Sequence, residues 1–133
     1  MATDNKYDRQ IRLWGSHGQK LLSEARVILL GCTSAGTETL KNIVLPGVGR
    51  FLIVDDKKVD KRDLGNDFFV TVDDIGRPKA QVVAEMMMEM NPDLAGNGNF
   101  ADQSISSFIE KNQSSITDAQ LIIACDIDNS VAV

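Results

Sequence analysis

The sequence has few of the residues that define secreted, metal-binding or thiol-dependent proteins. Its 133 residues include two cysteines, one histidine, one tryptophan and one tyrosine. The spacing of Cys32 and Cys125 fits neither a disulfide framework nor a metal site, which favours a reducing compartment. We therefore expect a cytoplasmic or nuclear protein that has no metal site of its own.

Long apolar runs and a basic excess are missing as well. The longest apolar stretches, Val27–Leu30 and Leu121–Ala124, are too short to span a bilayer, and the polar N-terminus lacks the apolar core of a signal peptide. A net charge of −5 disfavours binding to nucleic acid or to an anionic membrane surface. We expect neither as a partner.

Residues 27–40, VILLGCTSAGTETL, have the order of a buried strand, a glycine turn and a helix. In a dinucleotide-binding turn, the first glycine makes the bend, the second lets the backbone reach the phosphates, and the third packs the helix on the strand. Gly31 and Gly36 fill the first and third roles, but Thr33 replaces the second glycine. Asp55 stands where a ribose-binding carboxylate is expected. A residual nucleotide site and a scaffold without a ligand both remain open, and Thr33 favours the scaffold.

Hydrophobic periodicity and turn residues predict the remaining elements. Helices are expected at Tyr7–Glu24, which Gly15 and Gly18 divide into two short helices, and at Thr37–Leu45, Pro78–Met90 and Ile105–Lys111. Strands are expected at Arg26–Gly31, Phe51–Val54 and Leu121–Ala124, with a weak strand within DLAGNGNFADQ. A strand, a helix and a second strand in this order form a βαβ crossover. We therefore expect a Rossmann-like, doubly wound α/β fold with a mostly parallel sheet.

The fold is expected to be incomplete at its C-terminus, because a buried strand such as LIIA normally continues into another crossover. The chain would then be the N-terminal piece of a larger α/β protein. We expect residues 1–25 to form a helical segment and residues 26–133 to form the first part of the Rossmann-like domain.

Several further residues have ordinary structural interpretations. Cys32 and Cys125 end two strands and are expected to be buried structural thiols, because His17 lies far away in the sequence and no base is near. Met86, Met87 and Met90 are expected to lie in the core. Trp14 is interpreted as either a core residue or an interface anchor, with a slight preference for the interface, and the segment DDKKVDKRD as a solvated loop.

Three tracts carry a family resemblance: KYDRQIRLWG, LKNIVLPGVGRFLIVDD and DIGRPKAQVVAEMMMEMNP. In this order they resemble the adenylation domains of ubiquitin-like-modifier-activating enzymes. YDRQIRLWG resembles the start of the regulatory half of the heterodimeric enzymes. KNIVLPGVG together with DLGNDFFV is most similar to the neddylation branch. The regulatory half of the SUMO-activating enzyme and a self-sufficient adenylyltransferase are the alternatives.

The resemblance implies a non-catalytic subunit that pairs with a catalytic subunit. The catalytic subunit uses ATP and magnesium to adenylate the C-terminus of a ubiquitin-like modifier, and then forms a thioester with it. In this chain Lys57 stands at the position of a metal-binding aspartate, and Asn66 at that of a phosphate-binding arginine. These departures and Thr33 imply that the chain has no working ATP site of its own.

Three other residues match family positions. Lys79 matches a lysine that approaches phosphates, and Asp128 a carboxylate near the metal; a solvated lysine and a helix N-cap are the alternative interpretations. The resemblance implies that Arg9 crosses the dimer interface to the partner's ATP phosphates, a task that suits a guanidinium group. The alternative for Arg9 is a surface ion pair with Asp8 or Asp4. Arg9 is thus the one nucleotide-binding residue that we expect, and no catalytic residue is expected.

Overall fold

The computed structural model describes residues 6–65, 70–94 and 98–125. Its centre is a four-stranded parallel sheet with the strand order β3-β2-β1-β4. The strands are β1 (Arg26–Leu30), β2 (Arg50–Val54), β3 (Gly98–Ala101) and β4 (Leu121–Ala124). In the middle of the sheet, Leu29 of β1 lies opposite Ile53 of β2 and Ile123 of β4. The predicted parallel α/β fold is confirmed, including the weak third strand.

Five helices connect or precede these strands in the described part of the chain. They are α1 (Asp8–Glu24), α2 (Ser34–Val44), α3 (Lys79–Met90), α4 (Ile105–Lys111) and α5 (Gln113–Asp118). Single 3-10 turns occupy Lys61–Asp63, Val72–Asp74 and Pro92–Leu94. α1 is kinked at Gly15, where φ is +78°, so it consists of two shorter helical pieces, as predicted, and it continues through Gly18. No helix among the described residues is long and apolar enough to cross a membrane.

Helices cover both faces of the sheet, as a doubly wound fold requires. Val27 and Leu29 of β1 pack on one side with residues of α2 and α3, among them Leu40 and Met87. The alternate residues of β1, Ile28 and Leu30, pack on the other side against Phe108 of α4. Because β1 and β2 are buried on both faces, each appears in the sequence as an unbroken apolar run.

The strand β4 departs from its prediction. It forms where expected, but Leu121 is 44% exposed and Ile122 is 39% exposed, so the prediction that it is buried is wrong. Among the described strands β4 pairs only with β1 and therefore lies at an edge. Of its side chains, Ile123 packs against the main core.

Helix α1 docks at the amino edge of the sheet, beside the segment that leads into β2. The side-chain amides of Gln10 and Gln19 both donate to the Pro46 carbonyl, at 2.6 and 3.0 Å. The Gly49 amide donates to the Leu22 carbonyl at 3.2 Å. A cavity of about 260 Å³ lies between these elements and the start of the Pro92–Leu94 turn. The helix is therefore held by polar contacts at the edge opposite the glycine turn.

Candidate functional site

The turn after β1 has the backbone geometry of a nucleotide-binding turn. Gly31 adopts φ of +97°, and a Cβ atom there would lie 2.6 Å from the Cys125 carbonyl oxygen. A Cβ atom on Gly36 would lie 2.8 Å from the Gly31 carbonyl oxygen, so α2 packs directly on the turn. A side chain at either position would clash with a backbone carbonyl, so both glycines are needed for the geometry of the turn, as predicted from the motif.

Thr33 is the N-cap of α2. Its Oγ1 accepts a hydrogen bond from the Gly36 amide at 3.1 Å, and its backbone carbonyl accepts one from the Thr37 amide at 2.9 Å. The first amides of a helix are the groups that hold a phosphate in a nucleotide-binding turn. Here the side-chain oxygen of Thr33 accepts from one of these amides, that of Gly36. The threonine that replaces the second glycine of the motif therefore has a structural role.

Asp55 lies at the carboxyl end of β2, and its side chain binds the glycine turn. Its side chain is buried, Oδ2 accepts from the Cys32 amide at 2.7 Å, and Oδ1 accepts from the Lys57 amide at 2.8 Å. The sequence motif would place this carboxylate at the ribose of a nucleotide. In this chain both of its oxygens accept hydrogen bonds from backbone amides instead. Lys57 itself is exposed.

Lys79 forms a largely buried ion pair, so the interpretation of a solvated lysine is wrong. Its Nζ lies 2.9 Å from Oδ1 of Asp63, and the two side chains are 10% and 20% exposed. Oδ2 of Asp63 accepts from the Asp60 amide at 2.8 Å. Partial burial acts to raise the pKa of Asp63, but the hydrogen bonds from Lys79 and from the Asp60 amide outweigh it and hold that pKa below its ordinary value. The Asp63 carboxyl group is therefore ionised at neutral pH.

The segment that supplies Asp63 is exposed over most of its length, as expected of DDKKVDKRD, but it is anchored at Val59. Val59 is only 3% exposed and packs with Val70 and Val82. The Val59 carbonyl accepts from the Gly76 amide at 2.9 Å. An alternation of charges along the chain did not reveal this apolar contact, because a single valine among charged residues gives no periodic signal.

Arg9 lies on the exposed side of α1 and makes no hydrogen bond or ion pair with the described residues. Asp8 pairs instead with Arg12 at 3.0 Å, so the alternative of an Arg9–Asp8 pair is wrong. Trp14 is 41% exposed and donates to Gln19 at 3.0 Å, which excludes the core interpretation. This surface of α1 also carries Leu13, the most exposed large apolar side chain of the described residues.

The cysteines lie at the carboxyl edge, where they were predicted. The Cys125 amide donates to the Leu30 carbonyl at 3.2 Å, next to the turn that contains Cys32. Cys32 is buried as expected, whereas Cys125 is only half-buried. The single histidine, His17, is exposed on α1, which docks at the opposite edge. No histidine is therefore placed to activate either thiol.

Two residues of the resemblance, Asn66 and Asp128, lie outside the described residues, as does Asp4, and their roles stay predictions. Within residues 6–65, 70–94 and 98–125, no three His, Cys, Asp or Glu side chains converge in a way that could hold a metal ion. The polar groups that the structure does bring together at the carboxyl edge are Thr33, Asp55 and the Asp63–Lys79 pair.

A parallel sheet that is covered on both faces, with a glycine turn where the strand order reverses between β1 and β4, defines a Rossmann-like domain of the nucleotide-binding class. The particular family follows from comparison with known sequences. Residues 7–132 match the ThiF family, and the chain belongs to that family. The superfamily expected from the three motifs is confirmed.

Two relatives that align with nearly the whole chain carry the same name. The chain is 42% identical, over 132 residues and 99% of its length, to the NEDD8-activating enzyme E1 regulatory subunit of Danio rerio. It is 44% identical, over 124 residues and 92% of its length, to the corresponding subunit of Drosophila melanogaster. The aligned parts cover 24% and 23% of these relatives, so the chain spans about a quarter of their length.

The fold has a close counterpart among solved structures. The crystal structure of E. coli tRNA N6-threonylcarbamoyladenosine dehydratase in complex with AMP superposes with a TM-score of 0.82. The superposition covers 98% of this chain and 53% of the other. Because the sequences are only 19% identical, the likeness shows a shared fold and no more.

Proposed function

We propose that this chain belongs to the regulatory, non-catalytic subunit of the activating enzyme for the neddylation modifier. The observation that carries the proposal is the identity of 42% and 44% to regulatory subunits of NEDD8-activating enzymes along nearly the whole chain. The names of these relatives favour the neddylation branch over the SUMO branch.

In this proposal the chain pairs with a catalytic subunit, which binds ATP and magnesium and adenylates the modifier. The described residues of this chain do not fit a nucleotide of their own. Thr33 caps the helix at the turn, Asp55 is bonded to two backbone amides, and Asp63 neutralises Lys79. A cation, Lys57, also stands where the family resemblance expects a carboxylate for the metal. These contacts favour a nucleotide site in the partner subunit.

Arg9 is the residue that we assign to that site. Its guanidinium group is exposed and has no partner among the described residues, whereas Arg12 on the same helix is paired with Asp8. The helix docks at the amino edge of the sheet, and the five residues of β1 separate this edge from the glycine turn by roughly 15 Å, at about 3.3 Å per residue. Arg9 is thus placed to serve a neighbouring subunit rather than this chain's own turn. An arginine that forks onto phosphate oxygens stabilises the charge that develops during transfer.

The test is Arg9→Ala in the full-length protein, reconstituted with its catalytic subunit and assayed by ATP–pyrophosphate exchange. Loss of the guanidinium group should lower the exchange rate at least tenfold, while size-exclusion chromatography shows intact pairing. Arg9→Lys should recover only part of the rate, because an ammonium group keeps the charge but lacks the planar fork.

Arg12→Ala is the matched control, since it removes an exposed arginine from the same face of the chain and the same helix. It should leave the exchange rate within twofold of wild type. An unchanged rate in Arg9→Ala, or an equal loss in both variants, would overturn the assignment.

A further inference from the structure

Helix α1 carries Arg9 on a piece that its kink separates from the rest of the helix. Gly15 adopts φ of +78° and ψ of 167°, so the turns before it and the turns after it do not form one continuous rod. No residue from Asp8 to Trp14 is buried, whereas Gln19 in the second piece is. Apolar burial therefore contributes little to the position of the first piece, which depends on polar contacts instead.

The start of this first piece is tied to the end of α3. Nζ of Lys6 donates to Oδ1 of Asn91 at 2.8 Å and to Oδ2 of Asp93 at 3.2 Å. The hydroxyl group of Tyr7 donates to the same oxygen of Asp93 at 3.4 Å. Lys6 and Tyr7 directly precede α1, so these contacts fix the point at which the helix begins. The four residues form the N-terminal anchor of α1.

The N-terminal anchor is attached to the core through Asn91. This asparagine is buried, and its Nδ2 donates to the Val44 carbonyl, at the end of α2, at 2.9 Å. Its backbone amide donates to the Met87 carbonyl at 3.1 Å, which ends α3. The ring of Tyr7 lies against the turn before β2, where a Cβ atom on Gly47 would be 3.0 Å from Cζ of that ring. Helix α1 therefore begins on a surface that the packed core fixes.

A second contact follows Arg9 in the chain. The side-chain amide of Gln10 donates to the Pro46 carbonyl at 2.6 Å, so Arg9 lies between this contact and the N-terminal anchor within one turn of helix. A backbone that is already held on both sides has less conformational entropy to lose when its side chain binds a ligand. The guanidinium group is thus carried on an ordered support.

We infer that Lys6, Asn91 and Asp93 are positioning residues, which hold the first turn of α1 so that Arg9 reaches the nucleotide of the partner subunit. None of the three touches the nucleotide in this arrangement. Their role rests on the proposed function, because it acts only through Arg9, and it adds to that function the part of the fold that sets the position of the arginine.

The experiment uses Asp93→Ala and Lys6→Ala in the full-length protein, reconstituted with its catalytic subunit and assayed by ATP–pyrophosphate exchange. The two side chains of this pair are 38% and 51% exposed, so neither substitution should unfold the chain. Because a shift of about 1 Å in a group that binds the reacting phosphates can slow a reaction by about 10²-fold, each variant should lower the exchange rate by about fivefold or more. Subunit pairing in size-exclusion chromatography should be unchanged.

The decisive readout is the same substitution made together with Arg9→Ala. If Asp93 acts through Arg9, then Asp93→Ala should cause no further loss once the guanidinium group is absent. A general weakening of the subunit would instead lower the rate by the same factor in both backgrounds. Glu89→Ala is the matched control, because it removes an exposed carboxylate of α3 that makes no hydrogen bond or ion pair with the described residues. It should keep the wild-type exchange rate.

Wild-type rates in both Asp93→Ala and Lys6→Ala, or a loss that is equal with and without Arg9, would overturn the inference. If either result accompanies a slow Arg9→Ala variant, the proposed role of Arg9 still stands. A wild-type rate in Arg9→Ala would overturn both the role of Arg9 and its positioning. If Asp93→Ala does not fold, Lys6→Ala decides alone, because Lys6 precedes the helix and its removal leaves the contact between Tyr7 and Asp93 in place.

Discussion

Replacing Thr33 with alanine should destabilise the chain by about 1 kcal/mol, the typical cost of losing a helix N-cap. The structure identifies the contact that is lost: Oγ1 of Thr33 accepts the Gly36 amide at 3.1 Å. Gly36 is buried, so its amide would be left without this acceptor at the start of α2. The substitution changes no core side chain, and the whole effect should therefore come from the cap.

The size of the effect can be stated as a melting temperature. With an unfolding entropy of about 2.1 cal/mol/K per residue, a chain of 133 residues has about 280 cal/mol/K in total. A loss of 1 kcal/mol then lowers the melting temperature by about 3.6 °C. Differential scanning calorimetry should show this shift of the melting temperature, and urea denaturation should show the corresponding loss in the free energy of unfolding.

Thr33→Ser is the matched control, because serine keeps the capping oxygen and loses only a methyl group. It should remain within a few tenths of a kcal/mol of wild type. The capping role would be refuted if Thr33→Ala were as stable as wild type, or if Thr33→Ser lost as much stability as Thr33→Ala.

Two further predictions concern the core and the dependence on pH. Met87→Ala should cost about 2–5 kcal/mol in urea denaturation, because Met87 is fully buried between α3 and the sheet; the exposed Glu89→Ala should stay within about 0.5 kcal/mol of wild type. The pKa of Asp63 lies below its ordinary value, so its stabilising contribution is present above about pH 4 and is lost as the pH falls through the folded-state pKa. Asp63→Asn should therefore flatten the loss of stability between about pH 5 and pH 3, and an unchanged slope would show that the pair does not stabilise the fold.

Much of the fold could be predicted because burial leaves a direct trace in the sequence. Strands β1 and β2 are covered on both faces and appear as apolar runs, and α3 repeats its apolar residues at helical spacing. The helix α5 was missed because its six residues, QSSITD, contain a single apolar side chain. The exposure of β4 could not be predicted, because it depends on which strands lie beside it and not on its own composition.

The sequence predicted only those parts of the candidate site whose residues lie close together along the chain. Gly31, Thr33 and Gly36 lie within one turn, and the spacing of the motif was enough to assign the two glycines their roles. The contact of Asp55 with Cys32 spans 23 residues, and that of Lys79 with Asp63 spans 16. Such pairs form only when the sheet brings distant loops to one edge, and neither helical nor strand periodicity encodes them.

The three contacts at the carboxyl edge differ in what it would take to undo them. The oxygen of Thr33 that faces the Gly36 amide is neutral, whereas the oxygens of Asp55 and Asp63 that face the Cys32 amide and the Lys79 ammonium group belong to carboxylates. Hydrogen bonds to a charged group contribute more to stability than those between neutral groups, so the two carboxylate contacts are the stronger ones. Removing the oxygen of Thr33 should therefore cost less stability than removing the carboxylate of Asp63, which would leave the largely buried Lys79 without this partner. Urea denaturation of Thr33→Ala and Asp63→Ala would check this order, and equal losses of stability in the two variants would contradict it.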